Sequence, residues 1–120
     1  MADDISEAVK QFCNAAIEKG NFASPAKRDK ALHTQLASSV KLLREKGVPG
    51  TIAFEELLKH ESPHVRCWVA SELLAAGITK AIPILDELSL EVGLLGTSAR
   101  MVLQQYEAGR LRSPFGTNVA

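Results

Sequence analysis

Residues 57–68 read LLKHESPHVRCW, and residues 60–64 within them, HESPH, spell H-E-x-x-H. On a continuous helix that spacing puts two imidazoles and a carboxylate on one face, the arrangement of a zinc hydrolase. Pro63 forbids the helix. Its ring clashes with the carbonyl four residues back and it has no N–H to give, at a cost of about 3 kcal/mol in a helix interior. It also pushes Ser62 out of the helical region. Read the other way, Ser62-Pro63 is a helix start, a capping residue followed by proline in the first turn. His60 then ends one helix and His64 begins the next. A zincin also needs a third ligand, and no histidine follows His64, while His33 lies far upstream. A looser set of His60, His64 and Cys67 has a spacing that arises often by chance. The expectation is no metal and no cofactor.

Working outward, apolar residues recur at helical spacing along the whole chain. Ile5, Val9, Phe12, Ala16 and Ile17 mark a helix over about 4–19. After a turn at 21–25, with Ser24 as cap and Pro25 first in the helix, Leu32, Leu36, Val40 and Leu43 mark a second that ends at Gly47. Val48-Pro49-Gly50 reads as a break. A third helix is expected from about 51 to 60, burying Ile52, Phe54, Leu57 and Leu58. The fourth begins at Ser62-Pro63, turns Val65, Trp68, Val69, Leu73 and Leu74 inward, and closes at Gly77. A fifth covers about 79–90, with Ile82, Leu85 and Leu88 inward and Pro83 tolerated in its first turns. A sixth covers about 97–108, with Val102, Leu103 and Tyr106 inward. No segment alternates as a strand does, so the chain reads as all-α.

The 120 residues are 46% hydrophobic but only 5% aromatic, so the core is to be built from Leu, Ile, Val and Ala. Length alone predicts one domain. Charge is balanced at 14 basic and 14 acidic residues, which argues against nucleic acid, where phosphate contacts call for a basic excess or face. Cys13 and Cys67 form no C-x-x-C pair and read as free thiols of a reducing compartment. The acidic opening MADD is not a signal peptide, and no apolar run is long enough for a membrane span. A cytoplasmic setting is the expectation.

A helix, a Ser-Pro turn, Val-Arg and then an apolar stripe resembles a HEAT-repeat hairpin. The stretch FEELLKHESPHVRCWVASELLAAG carries the likeness, through Leu57-Leu58, Ser62-Pro63, Val65-Arg66, Ala70 and Leu73-Leu74. A weaker copy follows in ILDELSLEVGLLGTSARMVLQQYEAG. There Leu85 and Leu88 fall 31 residues after Phe54 and Leu57, and Arg100 falls 34 after Arg66. A period in the thirties is that of stacked α-hairpins. In length and layout the chain also resembles short bacterial proteins of the domain-of-unknown-function family numbered two thousand and nineteen, which is HEAT-like. The resemblance implies a HEAT-like α-α superhelix of about three helical hairpins, with five to six helices. It has Arg66 tie its turn to an acidic partner. From Arg110 the tail RLRSPFGTNVA has turn formers and no period, so one domain over 1–109 and a loose tail over 110–120 are expected. The family brings no catalytic residues to carry over.

The residues point to core packing for Trp68 and to a solvated face for Lys27, Arg28 and Lys30. Glu55, Glu56, Glu61, Asp86 and Glu87 lie on or beside amphipathic helices with no polar cleft to converge on. The expected function is therefore that of a non-enzymatic module binding an unidentified protein or peptide. Its surface is expected on the fourth and sixth helices, at His64, Arg66, Glu72, Arg100 and Gln104. Alternatives are a small HEAT-like enzyme or nucleic-acid-binding protein, or a scaffold that stacks end to end as a homodimer.

Overall fold

A computed structural model describes residues 4–21 and 25–116. The chain is all-α: among the described residues there are six α-helices, two 3-10 turns and no strand. It divides into two compact units, Met1–Leu57 and Leu58–Ala120.

The first unit holds α1 (Asp4–Asn21), α2 (Ala26–Glu45) and α3 (Val48–Glu56). The first two run antiparallel, as their cross-links show. Near the α1–α2 turn, Lys19 meets Asp29 at 2.7 Å and Arg28 grips Glu18 through both carboxylate oxygens, at 2.6 and 2.7 Å. Halfway along, the Gln35 amide donates to the Gln11 carbonyl, and at the far end Lys46 reaches Asp4 at 3.0 Å. The hydrogen bond from Arg28 holds the Glu18 carboxyl below its usual range. Exposed pairs of this kind set register more than they stabilise. Stability comes from Phe12, Leu32, Leu36, Val40 and Leu43, all buried, at about 1.5–3 kcal/mol for each large side chain taken from water. Phe54 of α3 meets Phe12 edge-on, ring centroids 5.4 Å apart. The expected Ser24 cap lies outside the described residues, and Pro25 stands just before the first residue of α2.

The third helix starts earlier than periodicity predicts. Val48-Pro49-Gly50 is its first turn, not a break. The reversal happens at Gly47, whose φ of 69° suits glycine, and Pro49 sits where a missing N–H costs nothing. The shifted start turns Ile52 outward, 53% exposed, against the expected burial. Leu57 and Leu58 are buried as expected, but in a 3-10 turn, Leu57–Lys59.

The second unit holds α4 (Pro63–Ala75), a 3-10 turn (Thr79–Ala81), α5 (Ile82–Leu88) and α6 (Leu94–Glu107). Its core is Val65, Val69, Ala70, Leu73, Leu74, Leu85, Leu88 and Ala99. Helix α4 ends in a Schellman motif: the Gly77 N–H donates to the Leu74 carbonyl and that of Ile78 to Leu73, both at 2.9 Å. The same pair of bonds closes α6, from Gly109 to Tyr106 and from Arg110 to Gln105. In α6 the expected inward residues Val102, Leu103 and Tyr106 are only half-buried, and Gly96 and Ala99 make the closest packing.

Two helix starts, one in each unit, are built alike. GVPGT at 47–51 opens α3 and GLLGT at 93–97 opens α6. In both the leading glycine takes positive φ, at 69° and 84°. In both the threonine hydroxyl returns to that glycine's carbonyl at 3.1 Å. The second glycine lies against main chain. A Cβ on Gly50 would sit 1.9 Å from the Leu43 carbonyl oxygen, and one on Gly96 would sit 1.8 Å from that of Glu91. This likeness recurs at 46 residues, not at the period in the thirties.

Backbone cannot yield as a side-chain tip can. Gly50→Ala and Gly96→Ala are each expected to cost about 2 kcal/mol by urea unfolding. Val48→Ser, on an exposed side chain, is expected to stay within about 0.5 kcal/mol of the parent. An alanine at 50 or 96 as stable as the parent would refute the close approach.

Candidate functional site

Pro63 decides the local geometry of residues 60–66. His60 lies outside any helix, Ser62 is extended with ψ of 124°, and Pro63 opens α4. The Ser62 hydroxyl accepts a long 3.5 Å bond from the Val65 N–H, and the His60 Nδ1 accepts the Ser62 N–H at 2.9 Å. The two histidines therefore stand on different elements, and H-E-x-x-H is broken as a helical motif. Among the described residues no three His, Cys, Asp or Glu side chains gather as a metal site would require.

Arg66 closes this turn. Its Nη1 donates to the His60 carbonyl at 2.7 Å and to the Glu61 carbonyl at 3.0 Å. Where the family resemblance implied an acidic partner for Arg66, these acceptors are main-chain oxygens, which α4 and the 3-10 turn leave unbonded. Arg100 does the same for the α5–α6 connection. It donates to the Ser89 carbonyl at 2.6 Å and to the Thr97 hydroxyl at 3.1 Å. Two arginines expected on a binding surface thus tie down turns.

Glu72 also differs from its expected exposure. It is 3% exposed on α4, and its carboxylate accepts a hydrogen bond from the Ser113 hydroxyl. The stretch that brings Ser113 there was expected to be loose. Instead Phe115 is 8% exposed and packs on Trp68, ring centroids 5.4 Å apart. Ser113 and Phe115 thus both contact α4, while 117–120 fall outside the described residues. Of the other expected surface residues, Gln104 is exposed on α6 and His64 is half-buried in the first turn of α4.

Exposed apolar side chains collect elsewhere in the second unit. Leu90, Val92 and Leu94 are 83%, 95% and 86% exposed, and Met101 is 56% exposed. Leu94 and Met101 are seven residues apart on α6, hence on one face. Periodicity misses them because SLEVGLLG (89–96) reads as a connection, where apolar residues carry no helical phase. An apolar-rich stretch among turn formers was the available signal.

Cys13 and Cys67 are free and buried, and burial pushes both thiols above their usual range. At Cys67 the Ser71 hydroxyl partly offsets it. No helix among the described residues is long and apolar enough to cross a membrane. Compared with protein-family models, curated proteins and solved structures, the chain has no significant match.

Arg66→Ala is expected to lower unfolding free energy by about 1–2 kcal/mol, since it strips two charge-assisted bonds from a half-buried turn. Unchanged stability in chemical denaturation would contradict the clamp. The thiols give a pH test. Their folded pKa lies above the unfolded one, so their contribution is intact below about pH 8.5, where unfolded thiols begin to ionise, and is lost as pH rises through the folded value. Stability in the wild type should fall more steeply above pH 9 than in a Cys13→Ala, Cys67→Ala double variant, and parallel curves would refute it.

Proposed function

We propose that the chain is a non-catalytic helical module that binds a protein partner through the second unit, at the α5–α6 connection and the adjoining face of α6. One observation carries this reading: Leu90, Val92, Leu94 and Met101, four large apolar side chains within twelve residues of sequence, are all more than half exposed. Concentrated apolar exposure of this kind marks an association surface. The HEAT resemblance adds support, because proteins of that family bind partners along stacked helices. Balanced charge favours a protein over a nucleic acid. Two free buried thiols favour a reducing, cytoplasmic setting.

The surface proposed differs from the one the sequence points to. Arg66 and Arg100 bond their own turns, and Glu72 is buried, so substituting them changes folding before it changes binding. Gln104 stays as a flanking polar residue, and His64 has no part in the proposal.

The test is capture of partners by tagged protein beside a Leu94→Arg, Met101→Arg variant with unchanged helix content. A stoichiometric partner captured by the parent and reduced at least tenfold by the variant supports the reading. If the captured protein is a second copy of the chain, the self-associating scaffold replaces the adaptor. Equal capture by both proteins sinks the proposed surface.

A further inference from the structure

The contact between α4 and residues 113–115 has the form of a bound peptide. Trp68 and Glu72 stand four residues apart on α4, so they share one face. Onto that face the chain lays three consecutive residues after α6 has ended. The Ser113 hydroxyl donates a hydrogen bond to the Glu72 carboxylate, and its Oγ accepts the Phe115 N–H at 3.1 Å. Phe115 packs its ring against Trp68 at a 35° tilt and is itself buried. Pro114, between them, carries no N–H and biases Ser113 toward extended backbone. None of residues 110–113 is helical or stranded, and residues 113–116 close a turn through the Gly116 N–H and the Ser113 carbonyl at 3.3 Å.

The chemistry at this spot is selective. A carboxylate taken from water is costly unless it is hydrogen-bonded, and Glu72 is 97% covered. A site built to bond a hydroxyl rejects an analogue that lacks one. An aromatic ring stacked on Trp68 supplies a second, apolar anchor of the sort that dominates peptide affinity.

We propose that the Trp68–Glu72 face of α4 is a peptide-binding site which the chain's own Ser113-Pro114-Phe115 keeps closed. Its ligand is a turn-forming segment presenting a hydroxyl residue, then proline, then an aromatic side chain, as Ser113-Pro114-Phe115-Gly116 does with the Gly116 N–H donating to the Ser113 carbonyl at 3.3 Å. Residues 110–116 are a latch: tethered to α6, they compete at an effective concentration of about millimolar. An external segment binds when it outcompetes the latch or when the latch is weakened. This rests on the reading of the chain as a binding module, and adds to it a second site with a stated ligand and a built-in competitor.

Trp68 is the single tryptophan and stands at the site, so its emission reports occupancy directly. Full-length Phe115→Ala should show red-shifted emission and greater quenching by acrylamide, with helix content unchanged by circular dichroism. A synthetic peptide of residues 110–116, RLRSPFG, should reverse the shift saturably. It should bind wild type at least tenfold more weakly, because there the latch competes. The peptide with Ala for Ser should bind the variant at least tenfold more weakly than RLRSPFG, and the peptide with Ala for Phe should not bind.

Failure of RLRSPFG to bind the variant, or equal binding to variant and wild type, overturns the proposal. So does equal binding of the Ser and Ala peptides. Should Phe115→Ala lose helix content, Ser113→Ala takes its place, since it retains the buried ring. RLRSPFG must then bind Ser113→Ala more tightly than wild type, and equal binding overturns the latch. Partner capture through Leu94 and Met101 is read separately, so a failed peptide leaves that surface standing, and the reverse holds as well.

Discussion

Pro63 is the constraint on which the middle of the chain depends. With no N–H to donate and a ring that would strike the Lys59 carbonyl, it admits no helix through residues 60–64. The chain must stop, expose carbonyl oxygens, and restart. Each consequence is met by a named group: Ser62 precedes the new helix, His60 accepts the Ser62 N–H, and Arg66 folds back on the carbonyls of His60 and Glu61. The residues that look like a metal site are thus the parts of a turn. Two imidazoles separated by a helix start lack the common face that a single ion demands.

The same economy recurs where the other helices begin. Gly47 and Gly93 turn the chain through a conformation that suits glycine, and Gly50 and Gly96 let a helix lie on main chain with no side chain between. Close approach of this kind leaves little space for the residues beside it. The first helical residue at each start, Val48 or Leu94, is left exposed. Tight packing at the second glycine and apolar exposure next to it occur together at both starts. In the second unit the exposure extends through Leu90, Val92 and Met101, the residues on which the proposed surface rests.

Arginine has a consistent part in this protein. Arg66 and Arg100 each donate to main-chain carbonyls of a turn, and Arg28 binds Glu18 with two of its nitrogens. A guanidinium offers several donors in fixed directions, so it can serve more than one acceptor at a bend where helical bonding has ended. Charge placed for this purpose is not placed for a ligand. The surface proposed for binding is accordingly apolar, and the Glu72 carboxylate of α4 is buried with a hydrogen bond from Ser113.

By itself the sequence determined the all-α class, the number of helices and the helix start at Ser62-Pro63, because these follow from local rules: apolar period, proline's missing donor and glycine's freedom. It also determined most of the buried set, including Phe12, Leu32, Leu36, Val40, Leu43, Val65, Val69, Leu73, Leu74 and Leu85. Only the tertiary structure decided where periodic residues meet nothing and where aperiodic ones are covered. Ile52 fits a helical stripe but faces outward, since α3 begins at Val48. Phe115 has no periodic neighbours and is buried, since Trp68, 47 residues away in sequence, waits for it. Glu72 lies on the polar side of the pattern and is buried, with a hydrogen bond from Ser113. The last two depend on contacts between residues far apart in the chain, and no window of sequence contains both partners.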